Sequence, residues 1–110
     1  MILHWGLGTN NENEAAIRIL LDTGSTVPLL SLAWVASTSI QVVKRATTKR
    51  IENFAGKAVP GAGKYYTSPL LLQHCKHYTR ETFEVAPLAG DYDAILPAWW
   101  MAKHRPEDIH

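Results

Sequence analysis

Apolar residues come in short runs along this chain, and turn-forming residues interrupt them every few positions. Ile2 to Leu7 reads as a brief strand, closed by the turn-rich run Gly8-Thr9-Asn10-Asn11-Glu12-Asn13. Between Ala15 and Leu21, Ile17, Ile19 and Leu21 alternate while Leu20 adds apolar bulk on the other face. That pattern predicts a strand buried on one side and, near its end, on both. It runs straight into the polar turn Asp22-Thr23-Gly24-Ser25. Val27 to Leu30 is extended in character because Pro28 disfavours a helix, and Ser31 is placed to cap a turn or two of helix over Leu32 to Ala36. Ile40 to Val43 is strand-like. Lys49 to Phe54 and Lys57 to Val59 flank Ala55-Gly56, which reads as a hairpin turn. Pro60, Gly61 and Gly63 then punctuate the chain before the segment Tyr65 to His74. Thr82 to Ala86 is another strand, and Asp91-Tyr92-Asp93 leads into a short one at Ala94 to Leu96. Pro97 opens the one good helix, Ala98 to His104, with Pro106 just past its end. Many short strands, tight turns and one late helix predict a mainly β domain, undivided by any linker.

Composition narrows this picture. A chain of 110 residues is the size of a single domain spanning 1–110. With 46% hydrophobic and 19% charged residues it has the means to build a core. Eleven Lys+Arg against ten Asp+Glu give a formal charge of +1, which argues against a dedicated DNA-binding domain. One cysteine excludes an internal disulfide framework and fits a reducing compartment. No apolar run approaches the roughly 20 residues that span a bilayer. Met1 to Gly8 is too short for a signal peptide and is interrupted by His4. The expectation is a cytoplasmic protein with neither a membrane nor a nucleic acid as partner.

The most informative stretch is Ile19-Leu20-Leu21-Asp22-Thr23-Gly24-Ser25-Thr26. A carboxylate delivered at the end of a very apolar strand needs partners, because desolvation penalises its charge. One reading is an Asp-turn, in which the side chain accepts hydrogen bonds from the amides that follow. The other is a reactive acid set at the rim of a core.

Taken with the later Tyr92-Asp93-Ala94-Ile95-Leu96, Trp100-Met101 and Lys103-His104, this segment resembles the retropepsin-like aspartic proteases. Within them it is most similar to those of Ty3/gypsy-type long-terminal-repeat retrotransposons. Leu20 to Thr26 resembles the apolar-apolar-Asp-Thr/Ser-Gly-Ser/Ala loop of that family, and Asp93 to Met101 resembles its late Asp-x-Ile-Leu-Gly-x-x-Trp-Leu signature. The resemblance covers about Ile17 to Pro106. One position departs: Pro97 stands where the family has glycine, so the local loop is expected to differ and activity to be affected.

The fold implied by the resemblance is a retropepsin-like closed β-barrel with a flap hairpin and one short C-terminal helix. The implied activity is that of an aspartic endopeptidase cutting a Gag-Pol-like retrotransposon polyprotein, in the cytoplasm or in virus-like particles. The alternative is a catalytically weak module of the same fold used for binding or dimerisation. Such an enzyme needs no cofactor and no metal. It needs two carboxylates sharing one proton, one to activate a water and one to protonate the scissile carbonyl. Asp22 supplies one per chain, so a symmetric homodimer is implied as the working form, alongside a peptide or polyprotein substrate. By the same resemblance Thr23 bonds across the two-fold axis, Ser25 orients the carboxylate, and the Gly24 backbone meets substrate. Thr26, Leu96 and Pro97 fall to the substrate cleft, with Phe54, Ala55, Gly56 and Lys57 on the flap. Pro60 to Gly63 is the competing flap tip. The polar tail Glu107-Asp108-Ile109-His110 leads us to expect a small interface and weak association, strengthened by substrate or by a larger polyprotein.

Other signals point elsewhere and weaken on inspection. Asp91 and Asp93 lack a glycine turn and read as solvated turn residues. Gly61-Ala62-Gly63-Lys64 would need glycine at 58 and Ser or Thr at 65 to be a phosphate loop, and the chain has Ala58 and Tyr65. His74 and His77, on one strand, would point to opposite faces, which argues against a zinc site. Cys75 has no surroundings that would activate a thiol. Lys44-Arg45 and Lys49-Arg50 read as solvated surface, and Trp99-Trp100 as a core anchor on the last helix.

Overall fold

The strongest alternation in the sequence produces the strand that carries Asp22. In the computed structural model, which describes residues 2–9, 14–74 and 76–104, it is β2 (Ala15–Asp22). It follows β1 (Ile2–Gly8) and precedes β3 (Leu29–Ser31) and helix α1 (Leu32–Ala36). The remaining elements are β4 (Val42–Lys44), β5 (Tyr65–Thr67), β6 (Leu70–His74), β7 (His77–Glu81), β8 (Glu84–Ala86), β9 (Ala94–Pro97) and α2 (Ala98–Lys103). The nine strands form one sheet in the order β4-β5-β8-β3-β9-β2-β1-β6-β7.

Ile17 and Ile19 are 1% and 0% exposed, whereas the alternating Ala16 and Arg18 face outward. Burying each such aliphatic side chain contributes about 1.5–3 kcal/mol. The inward face of β2 meets Trp5 and Leu7 of β1, Leu30 of β3, Leu96 of β9 and Trp100 of α2 in a single apolar cluster. α1 closes over this cluster. Ser31 Oγ caps it by accepting from the Trp34 amide at 3.3 Å, and the Trp34 indole donates to the Ala16 carbonyl at 3.2 Å.

The placement of β9 decides the geometry of the site. It lies between β2, which it pairs in parallel, and β3, which it pairs antiparallel. The register Leu21↔Leu96 and Asp22↔Pro97 sets both strands to end together.

Several boundaries differ from expectation. The Tyr65–His74 segment breaks at Ser68-Pro69 into β5 and β6, since proline cannot donate to a ladder. β6 then turns back into β7, a strand the apolar pattern did not reveal because its residues are mostly exposed. The strand near residue 40 begins at Val42, the next-to-last strand shortens to Glu84–Ala86, and α2 stops at Lys103 with His104 as its C-cap. Pro97 lies outside the helix, as the last residue of β9 and the N-cap of α2. With φ −72° and ψ 160° it is extended, a conformation proline adopts without strain.

Candidate active site

Asp22 stands at the point where β2 leaves the sheet, and its turn is built from its own polar atoms. The Gly24 amide donates to Asp22 Oδ1 at 2.8 Å, and the Ser25 amide donates to the Asp22 carbonyl at 3.2 Å. The Asp-turn is therefore real, and it does not consume the carboxylate. Among the described residues no cation pairs with Asp22. Asp22 itself is half-buried, while Thr23 and Gly24 are exposed. A Cβ at Gly24 would sit 3.2 Å from Asp22 Oδ1, so glycine here leaves room around the acid.

The floor of the loop is β9. Leu96 is fully buried and Pro97 nearly so, directly across from Leu21 and Asp22. These two residues, expected at the substrate cleft, are buried in the single chain and support the loop. Ser25, expected to orient the carboxylate, is buried, and its hydroxyl donates to the Val27 carbonyl at 2.7 Å, which tightens the loop's exit.

The hairpin at 51–59 is present and lies against this loop. Glu52 bridges Ala58, and the Val59 amide donates to the Ile51 carbonyl at 2.8 Å. Asn53 Oδ1 accepts from the Ala55 and Lys57 amides, and Gly56 takes a φ of +77° that the turn requires. Ile51 is buried and anchors the base, while Phe54, Ala55, Gly56 and Lys57 are exposed at the tip. The Phe54 amide donates to the Gly24 carbonyl at 3.0 Å, and the Thr26 hydroxyl donates to the Glu52 carbonyl. Gly63, in the competing segment, is buried instead: a Cβ there would lie 1.7 Å from the Lys49 carbonyl oxygen. Gly63 thus packs against the chain at Lys49, while Pro60 and Gly61 are exposed, as are the residues at 54–57.

Asp93 proves not to be a solvated turn residue. Its carboxylate receives both Arg18 Nε and Nη2 at 3.2 Å and the Arg18 amide at 3.0 Å. Burial alone would raise its carboxyl, but the Arg18 hydrogen bonds and charge outweigh this and hold it below its ordinary value. The basic stretch is likewise partly committed, since Arg45 makes a forked pair with Glu84 at 2.6 and 2.7 Å. Trp100 is the expected core anchor, at 2% exposure, yet Trp99 is 40% exposed and gives its indole N–H to the Thr26 carbonyl at 2.8 Å. His74 and His77 do not share a strand. They face each other across the β6–β7 turn and line one cavity of about 330 Å³ with Trp5, Trp100 and His104. Among the described residues no group of three or more His, Cys, Asp or Glu is placed to hold a metal. Cys75 and the tail after His104 lie outside the described residues.

An apolar inner strand that ends in Asp-Thr-Gly, floored by a parallel strand and faced by a hairpin, defines a class: the fold is mainly β and retropepsin-like. EIAV protease, solved in complex with the inhibitor HBY-793, has a similar structure. The TM-score is 0.62 over 94% of this chain and 86% of that one, at 15% sequence identity. No protein-family model and no curated protein sequence matches the chain.

Proposed function

We propose that this chain is an aspartic endopeptidase that works as a homodimer, with Asp22 of each copy forming the catalytic pair. The observation that carries the reading is the Asp22 turn itself: a half-buried carboxylate with no cationic partner among the described residues, on an exposed loop of a retropepsin-like fold. A single chain offers one such acid. Asp93 is no substitute, because Arg18 holds its charge. A two-fold axis at the exposed Thr23-Gly24 edge would bring the second acid alongside the first. One carboxylate then takes a proton from the attacking water while the other gives one to the carbonyl oxygen. The exposed tip at Phe54–Lys57 closes over the peptide and limits the entry of bulk water. The substrate in this reading is a Gag-Pol-like retrotransposon polyprotein, cut in the cytoplasm.

The test is cleavage of a peptide library between acidic and neutral pH, with a statine-type inhibitor and the Asp22→Asn variant as controls. Cleavage that the inhibitor blocks and the variant lacks supports the reading; undiminished cleavage by Asp22→Asn overturns it. Sedimentation across a concentration series tests the dimer, and a chain that stays monomeric with inhibitor bound cannot form the pair. A second reading, a non-catalytic module of the same fold, draws on Pro97 beneath Asp22. It predicts dimerisation without cleavage.

A further inference from the structure

We propose that Trp99 is a positioning residue for the Asp22 loop and, through Thr26, for the hairpin that faces it. The inference rests on the proteolytic reading for its consequence in catalysis, but not for its geometry.

Trp99 combines two features that a packing role does not explain. It is a large apolar residue left 40% exposed, while its neighbour Trp100 is buried, and its indole N–H is spent on a loop carbonyl 73 residues away in sequence. That carbonyl belongs to Thr26, the residue at which the Asp22 turn ends. The connection closes a small circuit. Asp22 pairs with Pro97 in the β2–β9 ladder, Pro97 leads two residues on to Trp99, and Trp99 returns to Thr26, four residues after Asp22. Both ends of the turn are thereby tied to the same short piece of chain. Thr26 extends the circuit sideways, since its hydroxyl donates to the Glu52 carbonyl at the start of the hairpin, and the Phe54 amide returns to the Gly24 carbonyl. A shift of the Thr26 carbonyl therefore moves the loop and the hairpin together. Losing the N–H alone leaves the ring and its packing in place, so it removes little of what holds the domain folded. The effect falls on where Asp22 points, which is where small displacements cost rate.

The test uses Trp99→Phe, which keeps an aromatic ring and deletes the donor. Amide hydrogen exchange is expected to accelerate by about 2- to 10-fold at Gly24, Ser25 and Phe54, the span of one net hydrogen bond, with exchange in β1 and β2 unchanged. In the peptide assay kcat is expected to fall by a similar factor, about 2- to 10-fold, with KM changed by less. Thr26→Val should accelerate exchange at Phe54, and Thr26→Ser, which restores the hydroxyl, should return it to the wild-type rate. Wild-type exchange at all three amides in Trp99→Phe overturns the proposal, as does acceleration spread evenly over the whole sheet. If the wild-type protein cleaves no peptide, the proteolytic reading fails alone, and the exchange pattern still decides the role of Trp99.

Discussion

Two aspartates occupy opposite ends of the same pair of parallel strands, and they meet opposite fates. Asp93 enters β9 where its next residue, Ala94, pairs with Ile19, and Asp22 leaves β2 where it pairs with Pro97. At the first end, Arg18 projects from the outward face of β2 and clamps the Asp93 carboxylate with two side-chain hydrogen bonds and one from its amide. At the second end the strand runs out, the loop turns on its own amides, and the carboxylate gains no cation among the described residues. An acid locked to a guanidinium is a strut: its proton is gone and its geometry is taken. An acid held by the Gly24 amide alone keeps its position without a charged partner. The difference lies in what the neighbouring strand presents at each end, not in the residue.

Substitutions at the two ends should therefore separate activity from stability. The largest effect is expected from Asp22→Asn. Cleavage should fall by at least about 10²-fold, the scale of a lost general acid–base group, while the melting temperature stays near wild type. Measuring both on one preparation breaks the comparison if the melting temperature falls instead. Gly24→Ala crowds Asp22 Oδ1 at 3.2 Å without touching the core, so a loss of about 10-fold in kcat is expected with little change in unfolding. Asp93→Asn reverses the pattern. It should lower the urea midpoint slightly, a modest effect because Arg18 is exposed and regains water, and leave Asp22 chemistry intact.

The smallest effect is on acid stability. The folded Asp93 carboxyl lies below its ordinary 3.8, so its contribution is complete above that value and is lost as the pH falls through the folded one. Urea midpoints followed from pH 6 downward should fall less steeply in Asp93→Asn than in wild type; parallel curves would show that the pair carries no pH-dependent stability.

Much of this was legible in the chain, for reasons that differ by element. β2 and its turn were readable because alternation, an acid and a glycine lie side by side, all within ten residues. α1 was readable from Ser31, whose hydroxyl does what a capping serine does. The late strand and the helix after it were readable from Ile95-Leu96 and Trp100. What escaped was everything that depends on register between distant segments. Nothing local marks Arg18 as the partner of Asp93, or Trp99 as the partner of Thr26. β7 escaped because an edge strand with a solvated face has little apolar pattern to show. The Ser25 bond to Val27 was not legible for a related reason, since the direction of a hydroxyl depends on loop dihedrals that residue type does not specify. The His74–His77 pair failed because one strand was assumed where the chain makes two.

The parallel pairing of β2 with β9 also sets a clock. Arg18 and Asp93 are 75 residues apart, and every contact that floors the Asp22 loop spans a similar length of chain. At roughly 5–20 residues per second, a ribosome needs about 4–15 s to supply that stretch after β2 has emerged. Throughout that interval β2 has β1 on one side and an unpaired edge on the other, the state in which strands are most prone to wrong pairing. The Asp22 loop has then neither the floor of Leu96 and Pro97 nor the Trp99 tie. A nascent chain thus carries its acid for seconds before it carries a site.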